Sequence, residues 1–113
     1  MIGAPDIVTC MRDPSLWRRW FDGDSWLPWQ SFLKSLFALP MTGEELAIYQ
    51  KCTAREYEPT DEITEAWVAV GRRGGKSLIL ALVAVYLSVF RDWTPYLSPG
   101  ESGYIKIMAV DRR

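Results

Sequence analysis

A short basic, glycine-rich segment, GRRGGKS at residues 71–77, contains the residue types that bind a nucleoside triphosphate. Gly74 and Gly75 allow the backbone to come close to phosphate oxygens and to point successive N–H groups at them. We expect Lys76 to reach the β and γ phosphates and the Ser77 hydroxyl to coordinate Mg²⁺. The segment therefore predicts a phosphate-binding loop for a nucleoside triphosphate with Mg²⁺.

Two arginines inside this loop, Arg72 and Arg73, could add to its chemistry. Arg72 lies four residues before the lysine, from where its planar fork could reach the γ-phosphate and stabilise charge that develops during phosphoryl transfer. We therefore predict catalytic roles for Arg72 and Lys76. For Arg73, a contact with phosphate and a side chain that simply stays in solvent are equally good interpretations.

The loop departs from the common phosphate-loop pattern, because Val70 stands where that pattern has a glycine, six residues before the lysine. A GKS tripeptide alone is weak evidence, and the alternative is a basic surface turn with a solvated Lys76. The flanking sequence favours the binding loop, since an apolar run precedes it and an apolar helical segment follows it.

The elements that must position this loop are predicted to be strands and a helix. AWVAV at 66–70 is typical of a strand buried on both faces, residues 76–90 predict a helix, and YIKIMAV at 104–110 predicts a second strand. The predicted fold class is α/β. Residues 65–113 would supply the first strand, loop, helix and second strand of an incomplete parallel sheet.

Residues 1–64 predict a helical leader with three helices. The first begins at Asp13, a good N-cap residue followed by proline, and ends near Gly23. The second covers about 28–38, and the third begins with a capping box at Thr42.

The composition excludes several kinds of protein. The chain has no histidine, which rules out a Ser-His-Asp triad and removes the commonest metal ligand, and its two cysteines lie too far apart for a CxxC site. A net charge of −1 gives no general attraction to nucleic acid. The amino terminus does not resemble a signal peptide, and the apolar run at 78–90 is shorter than the roughly 20 residues that cross a bilayer.

The loop resembles the deviant Walker A motif of phage large terminase subunits, with Arg72, Gly75, Lys76 and Ser77 in the positions of that motif. The segments WQSFLKSLFALPMTGEELAIYQKCTAR and AWVAVGRRGGKSLILALVAVYLSVFRDWTPYLSPGE are also similar to the amino-terminal half of the terminase ATPase domain. The resemblance covers roughly residues 13–113.

This resemblance implies a helical leader packed on a RecA-like sheet, in a motor that uses ATP to drive double-stranded DNA into a capsid. It implies a ring on the portal protein, a small terminase subunit as partner, and the host cytoplasm as location. It also implies a glutamine that contacts adenine upstream of the loop. We favour Gln30 over Gln50, because Gln30 lies in the aromatic WLPWQ segment.

The same resemblance makes the chain the amino-terminal part of an ATPase, inactive alone, with the Walker B and nuclease residues downstream. Two alternatives remain. The chain could be the amino-terminal part of another P-loop ATPase such as a DNA helicase, or a truncated product that only binds partner proteins or has a structural role.

Overall fold

The computed structural model describes residues 5–71 and 75–108 and is helical. Its four α-helices are α1 (Ile7–Arg12), α2 (Leu27–Leu36), α3 (Gly43–Thr53) and α4 (Lys76–Phe90). Single 3₁₀ turns lie at Arg18–Trp20, Asp24–Trp26 and Thr94–Tyr96.

The predicted α/β fold class is wrong, because the described residues contain no strand and no sheet. The segment 66–70, predicted as the first strand, has no regular structure, and Trp67 within it is 90% exposed. Residues 104–108 of the second predicted strand are also irregular, and 109–110 lie outside the described residues. A strand exists only through hydrogen bonds to a neighbouring strand. Apolar, β-branched composition favours such pairing but cannot supply the neighbour.

The first leader helix also differs from its prediction. The helix comes earlier, as α1, and its N-cap is Asp6, whose carboxylate accepts a hydrogen bond from the Thr9 N–H at 2.7 Å. Asp13 instead follows the end of α1 and accepts bonds from the Ser15 N–H (2.8 Å) and the Ser15 hydroxyl (2.7 Å). An aspartate can cap a helix or close a local turn by the same kind of bond. Here it closes the turn.

The second and third leader helices agree with their predictions. Thr42 and Glu45 form both bonds of the capping box: the Thr42 N–H donates to Glu45 Oε1 at 2.8 Å, and the Glu45 N–H donates to Thr42 Oγ1 at 3.4 Å. Helix α2 ends at Leu36, and Ala38 then adopts a left-handed conformation with φ of 53°. These helices are specified by residues close in sequence, which explains why their positions were predictable.

The core lies where α1 and α2 pack with α4. Its buried side chains come from all three helices and from Phe21: Ile7, Cys10, Met11, Phe21, Leu33, Ile79, Leu82 and Tyr86. The Tyr86 hydroxyl donates to the Pro5 carbonyl at 2.9 Å, which joins α4 to the start of the described chain. Burial raises the pKa of the Cys10 thiol, so this cysteine is an inert core residue.

Helix α4 buries only one face. Ile79, Leu82 and Tyr86 point into the core, whereas Leu80, Val85 and Val89 on other sides are exposed.

No helix among the described residues combines the length and apolar character needed to span a membrane.

Candidate phosphate-binding site

The described part of the predicted phosphate loop is its last residue and the helix that follows. Gly75 precedes α4 and has a left-handed conformation, with φ of 83° and ψ of 10°. Its carbonyl accepts the first bond of the helix, from the Ile79 N–H at 3.0 Å. The predicted roles of Arg72, Arg73 and Gly74 fall on residues outside the described ones.

Gly75 packs against two indole rings of the leader. A Cβ atom placed on Gly75 would lie 2.9 Å from both Cη2 and Cζ3 of Trp26, and 3.6 Å from Nε1 of Trp29. Contacts below 3.0 Å are closer than carbon atoms normally approach, and an L side chain rarely adopts the φ of Gly75. The site therefore requires glycine here for two independent reasons.

The start of α4 can accept an anion. Its first turn contains no acidic residue, and no described side chain caps it. The N–H groups of the first helical turn lack partners within the helix and carry the positive end of its dipole. Lys76 and Ser77 are both exposed, so an ammonium and a hydroxyl stand beside these N–H groups. Together these groups can hold phosphate oxygens.

Gln30 lies in a different environment from the one that an adenine contact needs. It is only 8% exposed and lies against the guanidinium of Arg12; with its amide turned so that the oxygen faces this group, the oxygen accepts hydrogen bonds from Nε and Nη2. Arg12 also donates to the Phe21 carbonyl at 3.2 Å and the Gly23 carbonyl at 3.4 Å. Gln30 therefore helps to hold the turn that follows α1, and an adenine contact would require it to rearrange.

Gln50, the other glutamine considered, is exposed on α3 and donates from Nε2 to the Glu56 carbonyl at 2.8 Å.

Trp26 and Trp29 are the residues that sequence reasoning did not assign to the site. Both belong to the aromatic segment WLPWQ at residues 26–30, where α2 begins. This segment is the sequence feature that could have indicated them.

Among the described residues, no three acidic, cysteine or histidine side chains gather into a metal site. The predicted role of Ser77 needs no such cluster, because Mg²⁺ at a triphosphate takes most of its oxygens from phosphate and water.

Comparison of the chain with protein-family models, with curated proteins and with solved structures found no match.

Proposed function

We propose that this chain binds the triphosphate of ATP together with Mg²⁺, as the ATP-binding amino-terminal part of a viral DNA-packaging motor, the large terminase subunit. One observation carries the triphosphate-binding part of this proposal. A left-handed Gly75, in close contact with the rings of Trp26 and Trp29, leads directly into a helix that begins with exposed Lys76 and Ser77.

The physical support lies in how these groups act on an anion. A triphosphate carries several negative charges, and the uncapped N–H groups of α4 present partial positive charge to it. Lys76 adds a full positive charge at the same end of the helix, and Ser77 places a hydroxyl where it can join the magnesium shell. Arg72 lies four residues before Lys76, and its proposed role is to stabilise the charge that develops on the γ-phosphate during transfer.

The packaging role is supported by the sequence resemblance alone. That resemblance implies three partners: double-stranded DNA, the portal protein and the small terminase subunit. It also implies a ring assembly in the host cytoplasm. The described chain is helical where that resemblance implied a sheet. The support therefore comes from the loop GRRGGKS and from the leader sequence.

The test is calorimetric titration of the chain with ATP and with inorganic tripolyphosphate, each with Mg²⁺. We expect Lys76→Ala to remove binding of both ligands and to leave the circular dichroism spectrum unchanged, because Lys76 is exposed. Lys51→Ala is the matched control, since Lys51 is an exposed lysine near the end of α3. Equal affinities for wild type and Lys76→Ala would refute the phosphate site.

A further inference from the structure

A cleft of about 860 Å³ lies between α2, α3 and the irregular segment 63–70. Its walls are mainly apolar and include four aromatic rings: Trp29 and Phe32 from α2, Tyr49 from α3 and Trp67 from the segment. Its size is in the range of small-ligand sites in proteins.

The wall formed by the segment 63–70 is attached to the helical body at its start. The Ile63 N–H donates to the Leu36 carbonyl at 2.9 Å. Next to it, both oxygens of Glu62 accept bonds from the guanidinium of Arg91 at 2.9 Å. These bonds bring the segment to the end of α2 and to the end of α4. The fold therefore fixes the start of this wall, whereas residues 64–69 are exposed to solvent.

The cleft adjoins the phosphate site at Trp29, although no residue of α4 lines the cleft. Val70 lines it, and Val70 immediately precedes the loop at 71–77. Trp29 lines it as well, and the same indole faces Gly75 at the start of α4. A ligand whose phosphates lie at Gly75 and Lys76 therefore has an aromatic cleft beside it.

Three side-chain hydroxyl groups of the cleft already donate to backbone carbonyls. Ser31 donates to Glu45 at 2.7 Å, Ser35 to Phe32 at 2.6 Å, and Thr53 to Tyr49 at 2.7 Å. The charged groups of the cleft, on Arg55 and Glu65, are exposed to solvent. A hydrogen bond to a solvated group adds little net affinity, because water competes for the same group. The cleft therefore offers ring faces to a ligand much more than it offers fixed hydrogen-bond donors.

We propose that this cleft holds the base of the nucleotide by stacking, with Trp67 at its rim, and that it discriminates little between adenine and guanine. The inference rests on the proposed phosphate site and deepens it. Stacking on an aromatic ring accepts any base, because every base presents a π face. Distinguishing adenine from guanine needs donors and acceptors fixed at the base edge. Purines, with the larger ring face, bind more tightly than pyrimidines.

The test compares Trp67→Ala with wild type by calorimetry, using ATP, GTP, CTP and inorganic tripolyphosphate, each with Mg²⁺. Trp67 is almost fully exposed, so its removal should not affect folding. We expect Trp67→Ala to weaken ATP and GTP roughly tenfold, the scale of one stacking contact, and to leave tripolyphosphate unchanged. Trp67→Phe should restore most of the affinity. Tyr57→Ala is the control, since Tyr57 is an exposed ring outside the cleft.

For the wild-type chain we expect affinities for ATP and GTP within about threefold of each other, and tripolyphosphate bound roughly tenfold more weakly than ATP. Unchanged ATP affinity in Trp67→Ala, with binding still lost in Lys76→Ala, would overturn the cleft and leave the phosphate site in place. A preference of more than about tenfold for ATP over GTP would overturn recognition by stacking. A wild-type chain that binds neither ATP nor tripolyphosphate would overturn both proposals.

Discussion

Gly75 shows how one residue can satisfy two requirements at once. From the sequence, glycine at this position is expected because phosphate must approach the backbone. In the structure the same glycine also has a left-handed φ of 83°, and its Cα faces the ring of Trp26. The second requirement belongs to the folded chain itself and can be tested without any ligand.

We predict that Gly75→Ala lowers the free energy of unfolding by roughly 1–3 kcal/mol, the usual cost of a side chain held in a disfavoured backbone conformation. Gly43→Ala is the matched control. Gly43, at the start of α3, has open space where a Cβ would lie and a backbone conformation that side chains adopt. Its substitution should leave stability unchanged or slightly increase it. Urea unfolding followed by circular dichroism measures both, and equal stability of Gly75→Ala and wild type would contradict the prediction.

Gln30 illustrates a residue whose role depends on distant partners. Its place in an aromatic segment made it a candidate for adenine contact, but it lies buried beside Arg12, which belongs to α1. The guanidinium of Arg12 links Gln30 to the carbonyls of Phe21 and Gly23. A ligand contact and a core hydrogen bond require the same type of side chain, so the residue type alone could not separate them.

At the scale of elements, α2 and α3 are held together at one carboxylate. Glu45 caps the start of α3, and its Oε1 also accepts a bond from Lys34 Nζ of α2 at 2.7 Å. The Ser31 hydroxyl of α2 donates to the Glu45 carbonyl. Burial acts to raise the pKa of Glu45, but the bonds from Lys34 and Thr42 together hold that pKa below its ordinary value of 4.5.

A lowered pKa in the folded state predicts a specific pH dependence. The stabilisation from ionised Glu45 is fully present above pH 4.5, the ordinary value, and is lost as the pH falls through the lower pKa of the folded chain. Glu45→Gln should therefore be less stable than wild type at pH 7, and the difference should shrink by pH 3. Glu44→Gln changes an exposed neighbour in the same helical turn and should show little difference at either pH. Urea unfolding of wild type and both variants at pH 7 and pH 3 measures these differences in stability. A loss of stability in Glu45→Gln that is the same at both pH values would contradict the role given to ionised Glu45.

Helix α4 has one face that stabilises the fold and another that does not. Leu82 is 4% exposed in the core, whereas Leu80 is 57% exposed. We predict that Leu82→Ala costs roughly 2–5 kcal/mol, because it leaves a cavity in the core. The chemically identical change Leu80→Ala should stay within about 0.5 kcal/mol of wild type. Thermal and urea unfolding provide the comparison, and similar losses for the two variants would show that the packing of α4 is misassigned.

At the scale of the whole molecule, much apolar surface remains exposed. It includes Leu80, Val85 and Val89 on α4 and the irregular segments around Trp67 and Ile107. Large exposed apolar patches mark surfaces that contact other molecules or cause aggregation. We therefore predict that the purified chain self-associates at micromolar concentration.

Light scattering of the wild-type chain should give a mass above the monomer value. The double variant Leu80→Lys/Val89→Lys should shift that mass towards the monomer, because charge on this face opposes its burial. Ala47→Lys/Ser102→Lys adds the same charge at exposed positions elsewhere and should change association much less. A monomeric wild-type chain, or an equal effect of both double variants, would contradict the prediction.

The sequence by itself determined the elements that depend on neighbouring residues. The capping box at Thr42 and the proline that opens α2 are local signals, and the helices follow them. Helix α4 spans Lys76–Phe90, as the apolar run after the loop predicted. Lys76 and Ser77 are exposed at its start, and their binding roles stay predictions.

Only the tertiary structure decided the features that depend on residues far apart in the chain. The segments 66–70 and 104–108 have strand-like composition, but without a neighbouring backbone to pair with they are irregular. The contact of Trp26 with Gly75 joins positions nearly 50 residues apart along the chain. Helix signals act within one turn of backbone, whereas pairing and packing need a partner whose position is set by the whole fold.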